Sequence, residues 1–308
     1  MESKKNKNSK EEYISYKENE IKKLQEEIKN GIKDALNSEK YIEFLKTISK
    51  FHKYSINNAM LILLQKPDAT FVAGFSQWEK QGVKVNKGEK HIKIFAPIFK
   101  NIDVFEKDDK GNYVLDENSN KIKIGEKKNI YFKVTKVFDI SQTNAKDNEK
   151  YNLIKSNNEI INNKDEILNK LQKVSNINFE FSDNLGGASG VYNKVDNAIR
   201  LKNGLNDIET ISVAVHEVAH SMLHSNLETS KFEKKQKEFE AESVAYIVNK
   251  KLGIDSKENN FLYLANWVGK DDISEFEDSI LRIHKTSNII INEFVKENNM
   301  EKFEEMEV

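Results

Sequence analysis

Residues 211–224 read ISVAVHEVAHSMLH, and this run decides how the second half of the chain folds. Three of the six histidines in 308 residues fall within nine positions here, beside a glutamate. Across 207–224, Ile208, Ile211, Val215, Val218, Ala219, Met222 and Leu223 recur at helical spacing, which predicts a helix with a wide buried face. Side chains four apart share one side of a helix, so His216 and His220 can present their imidazoles to a single ion, with Glu217 next to the first. Two imidazoles and a carboxylate among apolar neighbours are costly unless something satisfies them, and a divalent metal does so. The H-E-x-x-H order is that of zinc peptidases, the glutamate serving as general base toward water held at the ion. His224, one turn further on, reads as a packed core residue.

Catalytic zinc takes three protein ligands, so a third is expected on a neighbouring helix. Residues 237–253, KEFEAESVAYIVNKKLG, carry Phe239, Val244, Ala245, Ile247, Val248 and Leu252 at helical spacing and end at Gly253, a helix stop. Glu238 and Glu242 lie four apart on one face. Glu238 is the expected third ligand, with Ala241 leaving room for close approach. Glu242 would then accept an N–H from a ligand imidazole. The reverse assignment, Glu242 on the metal, is the alternative. Glu233 and Glu240 read as a solvated acidic face. The implied cofactor is one Zn2+ per chain, with Mn2+ or another divalent ion as the alternative, and the implied reaction is peptide hydrolysis on an unknown protein substrate. Upstream, GGASGVYNKVDNAIRL (186–201) reads as a glycine loop followed by two short strands, an edge that would align a substrate backbone with Tyr192 as the candidate contact.

The chain is long enough for two folding units. It contains no cysteine, which excludes disulfides and thiolate metal sites and suits the cytoplasm. No apolar run reaches membrane-spanning length, so no membrane partner is expected. A net charge of -1 gives no global attraction to nucleic acid. Residues 51–100 differ: eight lysines face three acids, interleaved with Phe51, Tyr54, Phe71, Phe75, Trp78, Phe95 and Phe99. Lysines follow phosphates while rings stack on bases, so this block is the candidate surface for single-stranded DNA. Its lysines include Lys84, Lys87, Lys90 and Lys93.

Residues 1–10 read as a disordered tail and 11–145 as a first domain of α+β class. Its pattern is a charged helix over 11–36, a second helix near 39–52, and a third, YSINNAMLILLQKP, with Ser55 as N-cap and Pro67 beyond its end. GFSQWEKQG reads as a further helical turn, and VKVNKGEKHIKIFAP as a hairpin turning at Asn86 to Glu89. The polar stretch 101–128 reads as an extended hairpin or flexible loop, and YFKVTKVFDIS as a strand. A polar linker over 144–150 leads into a second, mainly helical domain, 151–308. Its helices are expected at 151–174, at the two metal-binding segments, at 259–268 and at 273–301.

The blocks YSINNAMLILLQKPDATFVAGFSQWEKQGVKVNKGEKHIKIFAP and VFDISQT closely resemble the N-terminal domain of ArdC-type antirestriction proteins. GVYNKVDNAIRL, HEVAHSMLH and EFEAESVAYIVNKKLGI resemble their C-terminal metallopeptidase half, akin to the ImmA/IrrE peptidases; related proteins of conjugative elements are called LtrC-like. The resemblance covers roughly residues 40–300, in the same order of blocks. It implies a first domain that binds single-stranded DNA, a zincin-like second domain, and a role on plasmids and integrative elements in protecting incoming DNA from restriction. By position it implies His216, His220 and Glu238 as metal ligands and Glu217 as the catalytic acid/base. Tyr54, Asn57, Asn58, Gln65, Trp78, Lys87, Gly88 and Lys90 match the motif of the first domain.

Overall fold

The computed structural model describes residues 2–35, 38–145, 163–225, 232–254 and 273–295. Its fold is α+β. Helices α1 (Glu2–Asp34), α2 (Ser38–Lys50) and α3 (Ile56–Gln65) come first, followed by strand β1 (Val72–Gly74) and the short α4 (Phe75–Lys80). α1 also takes in residues 2–10 of the stretch that reads as a disordered tail. Further along, Leu24, Ile28, Ile32 and Ala35 recur every three or four residues and are buried as one stripe. Ser55 caps α3, its hydroxyl accepting the Asn58 N–H.

Two long strands, β2 (Ile92–Phe105) and β3 (Lys123–Asp139), pair antiparallel from Ile92↔Val137 to Phe105↔Lys123, and β1 adds to the other edge of β3 in the order β1-β3-β2. Only the base of this ribbon is packed. Ile92, Ile94 and Ala96 alternate inward there, whereas Phe99, Ile102, Ile130 and Phe132 stand exposed along the arm beyond. The stretch 101–128 is therefore a projecting hairpin. Two small turns end it, built on Asp108 and Asp116, whose carboxylates accept backbone N–H groups of Asn112 and Asn120.

The VKV segment does not form the expected hairpin with β2. A turn is present, with Glu89 N–H on Asn86 carbonyl, but Val85 bridges to Thr143 instead. The reason is that both edges of β2 are taken. β3 holds one edge; on the other, the Asn58 carboxamide pairs with both N–H and C=O of Phe95, and Gln65 does the same for Lys93, each bond 2.8 or 2.9 Å.

The second half contributes α5 (Lys164–Ser175), strands β4 (Phe179–Ser182), β5 (Gly190–Asn193) and β6 (Ala198–Lys202) in the order β4-β6-β5, and helices α6 (Asp207–His224), α7 (Lys234–Lys251) and α8 (Ile273–Val295). The expected helix at 259–268, the linker at 146–150 and the segments 151–162 and 296–301 lie outside the described residues. Packing joins the two halves. One continuous core contains Phe44, Leu45 and Ile48 of α2 together with Val215 of α6, Phe239 of α7 and Phe276 of α8. Tyr41 stacks on Phe239 at 5.1 Å between ring centroids, and its hydroxyl lies 2.7 Å from Ser243 Oγ. Among the described residues, no helix is long and apolar enough to cross a membrane.

Candidate metal centre

α6 spans 207–224 as its periodicity requires, started by a capping box between Asn206 and Glu209. Its neighbours α7 and β5 bring in the remaining groups of the site. His216 Nε2 and His220 Nε2 lie 3.0 Å apart, and Glu238 Oε2 of α7 is 3.7 Å from the first and 3.6 Å from the second. Among the described residues this is the one such cluster of three groups with ligand atoms in mutual reach. Four ligands around zinc at 2.0–2.1 Å are separated by about 3.3 Å, so these separations fit a single ion with little adjustment. His216 and His220 keep 21% and 17% of their side-chain surface and Glu238 keeps 37%, so the cluster is open on one side.

Burial pushes the His216 imidazole down to about 4, with His220 adding to the effect, which leaves it neutral and able to offer a lone pair at neutral pH. Glu238 is held below its ordinary value, first by the neighbouring His220 imidazole. Glu242 lies behind His216, its Oε1 3.9 Å from Nδ1 and outside the cluster of three, the side on which an acceptor for that ring is expected.

Glu217 is 7% exposed and turned toward β5, where its Oε2 accepts the Tyr192 N–H at 2.7 Å. Burial raises its carboxyl above the usual range. Tyr192 thus touches the site through its backbone, while its hydroxyl lies 3.2 Å from Asn197. The approach of β5 to α6 depends on Gly190, because a Cβ there would sit 2.4 Å from Val213 Cγ1 and 3.0 Å from Glu217 Cγ.

Two readings of acidic and histidine residues change. Glu240 is not on a solvated face: it is 0% exposed, because α8 covers that side of α7 and supplies Ser279 and Arg282 to its carboxylate. His224 is buried as expected, yet polar in its contacts, with Nδ1 3.2 Å from His220 Nδ1 and Nε2 3.1 Å from Glu240 Oε2. Ser279 and Arg282 carried no sequence signal, and Gly190 showed only as part of the glycine loop. His224 carried one, since four positions after His220 puts it on the same face.

The residues matched to the first-domain motif divide into two sets. Trp78 is 0% exposed and donates its indole N–H to Phe138 carbonyl, and the buried Tyr54 donates its hydroxyl to Val72 carbonyl, so neither ring is free to stack on a base. Asn58 and Gln65 are committed to the edge of β2. Lys93 is ion-paired with Glu20 of α1 at 2.8 Å. Asn57, Lys84, Lys87 and Lys90 are exposed, and Gly88 holds a left-handed turn at φ 90°. Asn57 opens into a cleft of about 780 Å³ that also receives Lys53, Gln77, Lys80, Pro97 and Phe132.

Residues 14–138 match the model of the N-terminal domain of the anti-restriction factor ArdC, so over this stretch the chain is ArdC-like. An uncharacterized protein of Bacillus anthracis is 32% identical over 303 residues, covering 89% of this chain and 51% of the relative. The chain therefore spans about half the length of the curated relative it matches. Among solved structures it is similar to the antirestriction ArdC protein from the R388 plasmid. The metal-free form is 17% identical over 79% of this chain and 86% of that one, with a TM-score of 0.45. The Mn(II)-bound form is 14% identical over 79% and 85%, also with a TM-score of 0.45.

Proposed function

We propose that this chain is an antirestriction protein of a mobile element, acting in the cytoplasm, whose N-terminal half (11–145) binds single-stranded DNA and whose C-terminal half (151–308) is a zinc-dependent peptidase. The observation that carries the metal reading is the convergence of His216 Nε2, His220 Nε2 and Glu238 Oε2 on one point. A bound divalent ion supplies an acidified water and a Lewis acid that polarises a carbonyl. Everything else falls to the chain. Glu217 keeps one oxygen on the Tyr192 amide and has the other to accept a proton and return it to a leaving amine. Its burial and raised carboxyl suit that exchange better than an exposed glutamate would. The β5 edge beside it offers extended backbone along which a peptide can align.

On the DNA side, the cleft at Asn57 pairs lysines with exposed apolar rims, the combination that single strands need. Lys84, Lys87 and Lys90 stand exposed on the turn before β2. The reading is tested by titrating zinc and manganese into purified protein, then assaying cleavage of casein and of DNA-bound proteins by wild type and Glu217→Gln. Stoichiometric uptake with activity lost in the variant supports a peptidase. Uptake with no difference between the two leaves a DNA-protecting protein with a structural metal, and no uptake removes the metal reading.

A further inference from the structure

A line of polar groups runs inward from His220, and its hydrogen bonds have only one consistent direction if the metal reading above holds. His220 faces the ligand cluster with Nε2. Its Nδ1 meets His224 Nδ1 at 3.2 Å, His224 Nε2 meets Glu240 Oε2 at 3.1 Å, and Glu240 Oε1 accepts from Ser279 Oγ at 2.7 Å and from Arg282. The line is sealed: Glu240 is 0% and His224 8% exposed. Arg282 is itself fixed by Ser279 and by the ring of Phe232, 4.7 Å away.

A neutral imidazole has one N–H and one lone pair. If His220 Nε2 gives its lone pair to an ion, its proton sits on Nδ1 and is donated to His224. His224 Nδ1 must then be bare, its proton sits on Nε2, and Glu240 accepts it. Each donor finds an acceptor, and the line ends on a carboxylate balanced by a guanidinium. Reversed, His220 would point an N–H at Glu238 and His216, and no lone pair at an ion. We propose that Glu240, acting through His224, is a positioning residue that selects the metal-binding tautomer of His220 and fixes its ring. The second ligand ring is held differently: His216 Nδ1 faces Glu242 Oε1 at 3.9 Å, beyond hydrogen-bond reach.

Nitrogen-15 imidazole spectra of the full-length protein with one equivalent of zinc test this directly. The expected result is a metal-shifted Nε2 and protonated Nδ1 on His220, with His224 protonated on Nε2 alone. A His224 protonated on Nδ1, or on both nitrogens, overturns the proposal. Zinc affinity, measured by chelator competition in wild type, Glu240→Gln, His224→Asn and His224→Leu, gives a second readout. Loss of such supporting hydrogen bonds costs about 10- to 100-fold in affinity, expected for His224→Leu, with a smaller loss for Glu240→Gln. His224→Asn places a carboxamide oxygen where Nδ1 stood and should recover most of the loss. A merely structural role would lower the melting temperature of the metal-free variants and leave their zinc affinity equal to wild type, which overturns the proposal. A wild type that takes up no zinc overturns both this proposal and the metal reading beneath it, whereas uptake with four equal affinities overturns this proposal alone.

Discussion

Asn57 and Asn58 are neighbours in the chain with opposite surroundings, and replacing each by alanine should separate stability from DNA binding. Asn58 is 8% exposed, and its carboxamide makes two 2.8 Å hydrogen bonds, one to the N–H and one to the C=O of Phe95. Asn58→Ala leaves both backbone groups of a half-buried strand residue without a partner. Each such group costs about 1–3 kcal/mol, so a total of roughly 2–6 kcal/mol is expected. In a chain of this size that lowers the melting temperature by roughly 3–9 °C. Asn57 is exposed at the rim of the cleft, so Asn57→Ala should stay within about 0.5 kcal/mol of wild type. Urea titrations followed by circular dichroism give the two stabilities. Fluorescence anisotropy with a labelled oligonucleotide, well below either transition, gives affinity, which should drop for Asn57→Ala and hold for folded Asn58→Ala. An Asn58→Ala protein as stable as wild type would refute the account of how the edge of β2 is closed.

Three further outcomes follow from other parts of the molecule. Gly190→Ala forces a Cβ against Val213 and Glu217 and should cost about 1–3 kcal/mol in thermal unfolding while displacing Glu217; an unchanged melting curve would show that β5 does not press on α6. Burial, then Lys251, Lys53 and His284, push the His52 imidazole down to about 3, and neither ring nitrogen has a partner among the described residues. The unfolded imidazole protonates near 6.5, so between that pH and about 3 the unfolded state binds more protons and stability is lost as pH falls, by at most roughly 5 kcal/mol. Urea titrations at pH 7, 5.5 and 4.5 should show a steeper loss in wild type than in His52→Leu, and parallel losses would remove His52 as the cause. Changing Lys84, Lys87 and Lys90 together to glutamine should flatten the salt dependence of oligonucleotide binding by about 2 log units per log unit of salt if all three meet phosphates, with no change in melting temperature. A slope equal to wild type would place the strand elsewhere.

The grouping of His216, His220 and Glu238 was legible because it is local. Four-residue spacing within α6 fixes how His216 and His220 face, and the same spacing within α7 singles out Glu238 and Glu242. The choice between those two carboxylates follows from how closely α7 approaches, with the small Ala241 as the available hint. Glu240 was misread for a reason of the opposite kind. Its surroundings are set by Ser279 and Arg282, about forty residues downstream, and nothing in its own helix announces that cover. Tyr54, Asn58, Gln65 and Trp78 show the same limit: each stands in a motif, yet partners 18 to 60 residues away decide that they hold backbone in place. The VKV turn failed as a hairpin because strand pattern says nothing about which edges are already occupied.

Tyr41 joins the two halves through Ser243, a residue next to Glu242 and one helical turn past Phe239, on the helix that also carries Glu238. Cutting the chain near residue 145 would strip α2 of its cover and bare a greasy seam of Phe44, Leu45 and Ile48. Such fragments should clump when expressed separately and behave when co-expressed. By the same seam, whatever grips the first half has a solid lever onto the helix that carries Glu238.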